Sequence, residues 1–274
     1  MGTIHRLEPE DLPYGPGNPD YENDGQEVIA PVRFSHLRAY GRSAMHGHHA
    51  RQKEAEQTTA MERGSAVHAL VFGTRKVCGY PGSQRRGKDY EAFAAEHPDS
   101  EILTASEYEK ARQMADAVRE CKLAEPMLQG ITETTIRFRW MGLDCRATPD
   151  VRGTDYLTEL KTSSSSDPAR FVWQALRLYY HAQMRMQQIA CADSLVQDCF
   201  IVCVESAEPY PVTVFQIDPK ALEAGEKLLI LWAERLKNSE VSAQFPPYAQ
   251  SIMPIMLPDE EIELDYSTTE TGEI

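Results

Sequence analysis

Residues 145–163 read C-R-A-T-P-D-V-R-G-T-D-Y-L-T-E-L-K-T-S. The pattern predicts a hairpin. One strand runs from about Asp144 to Val151, Arg152-Gly153-Thr154 makes the turn, and Asp155 to Lys161 forms the returning strand. Side chains alternate along a strand, so Glu159 and Lys161 share a face and Leu160 takes the other. Asp150, at the end of the first strand, lies across the turn from them. Two carboxylates and an ammonium in one place are costly to bury unless a cation sits between the carboxylates. A divalent metal accounts for the arrangement, and carboxylate oxygens suit Mg²⁺ or Mn²⁺. The same D-x(8)-E-x-K spacing also describes a surface hairpin with an ordinary Glu/Lys pair, so the decision rests on the rest of the chain.

At 274 residues the chain predicts one large α/β domain, or one domain with an appendage. A hydrophobic content of 42% suffices for a core. The net charge of −14 argues against a body coated for indiscriminate nucleic-acid binding, yet leaves room for a local basic groove. No apolar run approaches the roughly 18 residues of a membrane span. The opening M-G-T-I-H-R-L-E does not read as a signal peptide. Cysteines at 78, 121, 145, 191, 199 and 203 form no C-x-x-C pair, which predicts reduced thiols in an intracellular protein, with Cys199 and Cys203 facing the core from a strand.

Residues 1–32, rich in Pro, Gly and acids, read as a poorly ordered arm. Structure is expected from Phe34-Ser35, with Ser35 as N-cap of the first helix. His36, His46, His48 and His49 crowd this segment without carboxylate or cysteine spacing, which fits a solvated helix end. M-E-R-G-S-A-V-H-A-L-V-F-G, residues 61–73, predicts a helix whose Gly64, Ser65 and Ala66 permit close packing. His68 within it is either a hydrogen-bonded core histidine or, with its second nitrogen anchored, a metal ligand. Residues 75–88 read as a basic loop in which Arg85, Arg86 and Lys88 face phosphates or solvent.

Helices are predicted over about 88–96 and 106–121. I-T-E-T-T-I-R-F-R-W, residues 131–140, alternates as one strand, with Glu133, Thr135 and Arg137 on one face and Glu133 beside Asp150. Asp167 and Pro168 open a single long helix to about Ala192, with Tyr180, Gln183 and Gln187 along one face. Strands over 198–205 and 212–217, then a helix over 219–238, lead to a Pro-rich, acidic tail, residues 246–274.

Taken in order, G-S-A-V-H, Glu133, P-D, E-L-K and Y-H-A-Q resemble the RecB-like branch of the PD-(D/E)XK nuclease superfamily. More narrowly they are similar to phage and prophage exonucleases of the RecE type (exodeoxyribonuclease VIII), relatives of lambda exonuclease. The likeness covers about residues 30–250, and F-S-H-L-R-A-Y-G-R-S-A and R-R-G-K-D-Y-E-A-F add to it. Met184-Arg185-Met186 departs from the family's aromatic-rich run, and the acidic tail has no counterpart.

The resemblance implies an α/β, restriction-endonuclease-like core in residues 33–245, a central mixed β-sheet flanked by helices. Asp150, Glu159 and the Leu160 carbonyl would bind Mg²⁺, with Mn²⁺ substituting. Lys161 would orient the attacking water, His68 would ligate a second metal position, and Glu133 would act as ligand or through water. Tyr180 and Gln183 would hold the site and the strand. Ser35 and Arg38 would meet a 5′-phosphate, while Arg75, Lys76, Arg85, Arg86, Arg137 and Arg139 are candidates for a DNA channel. The implied activity is processive 5′→3′ digestion of linear duplex DNA in the bacterial cytoplasm. A ring-shaped homo-oligomer and a single-strand annealing partner of the RecT/beta type come with it. The alternatives are a sequence- or structure-specific endonuclease on the same core and a non-catalytic DNA-binding protein. An iron–sulfur relative would need a different spacing of Cys191, Cys199 and Cys203.

Overall fold

The computed structural model describes residues 30–53, 58–191 and 196–254. In chain order these form α1 (Phe34–Arg42), α2 (Ala44–Gln52), α3 (Thr59–Phe72), β1 (Lys76–Tyr80), α4 (Lys88–Glu96), β2 (Ser100–Thr104) and α5 (Ala105–Glu120). A 3-10 turn at Glu125–Leu128 leads to β3 (Ile131–Thr132), β4 (Ile136–Trp140), β5 (Leu143–Ala147), β6 (Val151–Arg152) and β7 (Tyr156–Ser163). Then follow α6 (Pro168–Arg177), α7 (Tyr180–Ala190), β8 (Asp198–Glu205), β9 (Val212–Gln216) and α8 (Pro219–Ser242).

The central sheet has the order β3-β6-β7-β8-β9. Only β7 and β8 run parallel, with Glu159 opposite Ile201 and Lys161 opposite Cys203, and α6 and α7 make the crossover between them. The sheet is therefore mixed, with helices on both faces. Alternation along the two central strands sorts the core. Leu160, Val202 and Val204 pack with Ala66, Val67, Met114 and Val118 from α3 and α5. On the other face Leu157 and Cys199 meet Met184 of α7, and Ile201 and Cys203 meet Phe171 of α6. A second cluster joins α1, α7 and α8 to β4 and β5 through Leu37, Tyr40, Phe138, Met186, Leu229 and Trp232. Gly225 permits the α7–α8 crossing, because a Cβ there would come within 2.8 Å of Ala182 Cα.

Several elements differ from the sequence reading. The first strand of the 145–163 hairpin is two strands, broken at Thr148-Pro149-Asp150. Proline has no N–H for a ladder, so β5 pairs with β4 in a separate two-stranded sheet and only β6 pairs with β7. The 131–140 strand breaks likewise, at Glu133, whose φ of 46° turns the backbone out of β geometry. The helix expected from 168 to 192 is two helices, because Tyr179 takes a left-handed φ of 60° between them. The supposed loop at 75–88 begins with β1, parallel to β2.

Arg33, not Ser35, is the N-cap of α1. Order also reaches past both expected boundaries. Buried Val32 bridges Cys145, its N–H donating to Asp144 O at 2.8 Å and its carbonyl accepting from Arg146 N–H at 2.9 Å. At the other end, Pro246 O accepts from Met45 N–H at 3.1 Å. Arg42 Nε donates to Tyr248 Oη at 3.2 Å, and Phe245 stacks on His48. The remainder of the arm (1–29) and tail (255–274) lies outside the described residues. Among the described residues no helix is long and apolar enough to cross a membrane.

Candidate active site

The site is built where β6 and β7 meet α3 and α7. Gly64 lets α3 lie close to β7, since a Cβ there would stand 3.2 Å from Thr162 Oγ1. One helical turn further on, His68 comes to the sheet with Nδ1 3.4 Å from Asp150 Oδ1. Asp150, released from the strand ladder by Pro149, turns its carboxylate back across the hairpin. Its Oδ2 accepts from the Leu160 N–H at 2.8 Å. Leu160 itself points to the α3/α5 core, so its neighbours Glu159 and Lys161 share the α7 side. Lys161 Nζ donates to Glu159 Oε2 at 2.5 Å and lies 5.0 Å from the centre of the Tyr180 ring.

The first two turns of α7 complete the cage. Gln183 Nε2 donates to Glu159 Oε2 at 2.8 Å, and Gln187 Nε2 donates to Glu159 Oε1. The left-handed residue Tyr179 re-aims α7 so that Tyr180, Gln183 and Gln187 all face β7. Gln187 is 4% exposed and Glu159 2%. The sequence put Gln187 on the Tyr/Gln face without a role; the structure makes it a direct partner of the glutamate.

Burial and charge pull the titrations apart. Burial raises the Asp150 carboxyl, but His68, Lys161 and the Leu160 N–H outweigh it and hold Asp150 below the usual carboxylate range. Burial would lower His68, and Asp150 instead holds it above its ordinary value. Glu159 is raised, by burial first and then by the charge of Asp150, against the pull of Lys161 and Gln187. Burial would lower Lys161, and the two carboxylates keep it firmly protonated.

A hard divalent cation, which the family resemblance implies, can be tested against these residues. Two buried carboxylates and an imidazole are the right donors, and Glu159, raised by burial and then by the charge of Asp150, is a group whose charged form a cation would favour. The donor set fits. As the side chains stand, no three His, Cys, Asp or Glu among the described residues converge on one point, and the Lys161 ammonium sits on Glu159 Oε2. Asp150 and Glu159 would hold the metal, with His68 beside Asp150. Among the described residues Glu133 meets the site through its backbone, its N–H donating to Asp150 O at 3.1 Å.

Beside the carboxylates opens a cleft of about 500 Å³ lined by Arg33, Ser35, Arg38, Thr135, Arg146, Thr148, Gln183 and Gln187. Ser35 and Arg38, the residues proposed from the sequence to meet a 5′-phosphate, both line this cleft. Arg33 and Arg146 join them without having been singled out, since α1 and β5 meet only in the fold. The other basic candidates are placed differently. Arg85 donates to Ile102 O at 2.9 Å and to Glu62 at 2.5 Å, and Arg137 pairs with Asp144. Arg86 and Lys88 are exposed near the start of α4, and neither lines the cleft. The cleft also sits in a body less acidic than the whole chain. Residues 1–29 and 255–274 hold fourteen Asp and Glu against one Arg, so the part between them is close to neutral.

Comparison with known proteins gives three findings. The family model described as a PDDEXK-like domain of unknown function (DUF3799) matches residues 33–253. Among solved structures, a candidate exonuclease of Eubacterium rectale is similar over 86% of this chain and 93% of its own, at 11% identity and a TM-score of 0.56. An alkaline exonuclease of Laribacter hongkongensis matches over 65% of this chain and 89% of its own, at 15% identity and a TM-score of 0.33. No curated protein matches.

Proposed function

The chain belongs to the PDDEXK-like family DUF3799, and from that premise we propose that it is a divalent-metal-dependent exodeoxyribonuclease acting on the ends of linear duplex DNA. One observation carries the reading. His68 of α3 pairs with Asp150 at the bend before β6, and Asp150 is tied through the Leu160 N–H to the stretch of β7 that carries buried Glu159 and Lys161, beside an arginine-lined cleft. A lone Glu/Lys pair on a surface hairpin would need neither the burial nor the two glutamines.

A divalent metal held by Asp150 and Glu159, most simply Mg²⁺, would supply Lewis acidity and lower the pKa of an attacking water. The chain's own groups do the rest. Asp150 is fixed from both sides, by the Leu160 N–H and by His68, so its carboxylate does not reorganise when charge builds at phosphorus. Gln183 and Gln187 fix the Glu159 carboxylate in the same way. Lys161, protonated and resting over Tyr180, presents a positive charge to the phosphate and orients the water. Arg33, Arg38, Arg146 and Ser35 would take a terminal phosphate, which supports 5′→3′ digestion of the RecE type.

A ring-shaped homo-oligomer, a RecT/beta-type annealing partner and a bacterial cytoplasmic setting complete the proposal and rest on the family likeness. The test is incubation of linear and covalently closed duplex DNA with the protein, in Mg²⁺ or in chelator. Loss of linear DNA alone, in Mg²⁺ alone, is expected. Cutting of closed circles would make the protein an endonuclease, and no degradation in any metal would leave a non-catalytic DNA-binding protein.

A further inference from the structure

The inner face of α6 is fixed to the catalytic strand. Phe171 is buried with its ring 6.1 Å from that of Tyr180, which underlies Lys161, and Gln174 Oε1 accepts from Ser163 Oγ at 2.9 Å. The outer face has no partner among the described residues. Val172, Trp173 and Leu176 are 47%, 74% and 44% exposed, at the spacing that forms one stripe along a helix. Arg170 and Arg177 flank that stripe, and no acid lies within the helix. Asp167, at its cap, accepts from the Ala169 N–H at 3.1 Å and forms an exposed ion pair with Arg170 at 3.9 Å, one that a phosphate could replace. An exposed indole with a guanidinium three residues before it and another four residues after it on one helix, the opposite face of which packs against the residues around Lys161, matches a polyanion with flat apolar faces.

We propose that this face of α6 is a stacking platform for the unpaired bases of a single DNA strand, with Trp173 as its centre and Arg170 and Arg177 on the backbone phosphates. The proposal deepens the nuclease reading and rests on it, since the platform borders that site. It makes the substrate class a duplex end whose strands separate at the enzyme.

Fluorescence tests it directly. Trp140 and Trp232 are 8% and 3% exposed, so solvent-exposed emission comes from Trp173. Titration of the whole protein with oligo(dT) in EDTA, where no hydrolysis intervenes, is expected to quench that emission and shield it from iodide. Trp173→Ala should weaken oligo(dT) binding about tenfold. Arg170→Ala with Arg177→Ala should reduce the salt slope by about 1.4. Unchanged emission, or equal affinity in Trp173→Ala, overturns the proposal. So does emission that shifts with protein concentration alongside a larger sedimenting species absent in Trp173→Asp, which would assign the face to a second copy of the chain. Degradation of linear DNA in Mg²⁺ is read separately, so failure of the platform and failure of the nuclease reading are distinguishable.

Discussion

The Asp150 carboxylate is held 2.8 Å from the backbone N–H of Leu160, the residue between Glu159 and Lys161. The contact ties the bend at Pro149-Asp150 to the centre of β7. Asp150→Asn keeps an acceptor for that N–H while removing the charge. The variant is expected to fold with a melting temperature near that of the parent and to lose at least about 10²-fold in DNA hydrolysis. A large fall in thermal stability, with hydrolysis merely following it, would count against a catalytic role.

Lys161 neutralises a glutamate that is 2% exposed. Lys161→Met leaves Glu159 and Asp150 buried together, and in chelator it should cost about 3 kcal/mol by urea unfolding. Adding Glu159→Gln should recover most of that loss while the double variant stays inactive. Stability that does not recover would mean the pair is not energetically coupled.

The cleft arginines give a selective prediction. Arg38→Ala or Arg146→Ala should slow digestion of 5′-phosphorylated ends by about tenfold and leave 5′-hydroxyl ends almost unaffected, the loss of one charge-assisted contact. Equal slowing of both substrates would move the phosphate site elsewhere.

Arg85 is expected to behave as a structural residue. Its guanidinium joins Glu62 to the Ile102 carbonyl, so Arg85→Ala should lower the melting temperature and leave the salt dependence of DNA binding unchanged. A flatter salt slope would restore it to the DNA path.

His36 predicts an acid-sensitive fold. It is buried, with Arg33 N–H donating to Nδ1 at 3.3 Å. Burial, and then the charges of Arg33, Arg51 and Arg146, push its pKa down to about 4. The folded state keeps the ring neutral while the unfolded chain takes up a proton near the ordinary value. This contribution is therefore complete above about pH 6.5 and is lost as pH falls toward 4, up to roughly 3 kcal/mol. His36→Gln should flatten the unfolding free energy over that window relative to the parent; parallel curves would refute the assignment.

The sequence exposed the parts of the site that depend on local alternation and helical spacing. Glu159 and Lys161 two apart on a strand, and Tyr180, Gln183 and Gln187 on one helix face, follow from chain geometry alone. What stayed hidden depended on single residues that break regularity or on contacts distant in sequence. Pro149 splits a predicted strand, Glu133 and Tyr179 adopt positive φ without being glycine, and β1 pairs in parallel with β2 across a helix. Arg33 and Arg146 become neighbours only because Val32 bridges Cys145, a pairing with no local signature. Arg85 and Arg137 looked available for phosphate because their carboxylate partners, one 23 residues away, could not be read from charge content.

The short strap at Phe245–Tyr248 has a mechanical consequence. It grips α1 and α2 through Arg42, Met45 and His48, and α1 also carries Ser35 and Arg38. The entrance helices are thus clasped by a segment some two hundred positions downstream. A proteolytic nick after residue 250 should leave the clasp shut, whereas a nick before 245 should spring it and slacken the cleft while β7 and β8 hold.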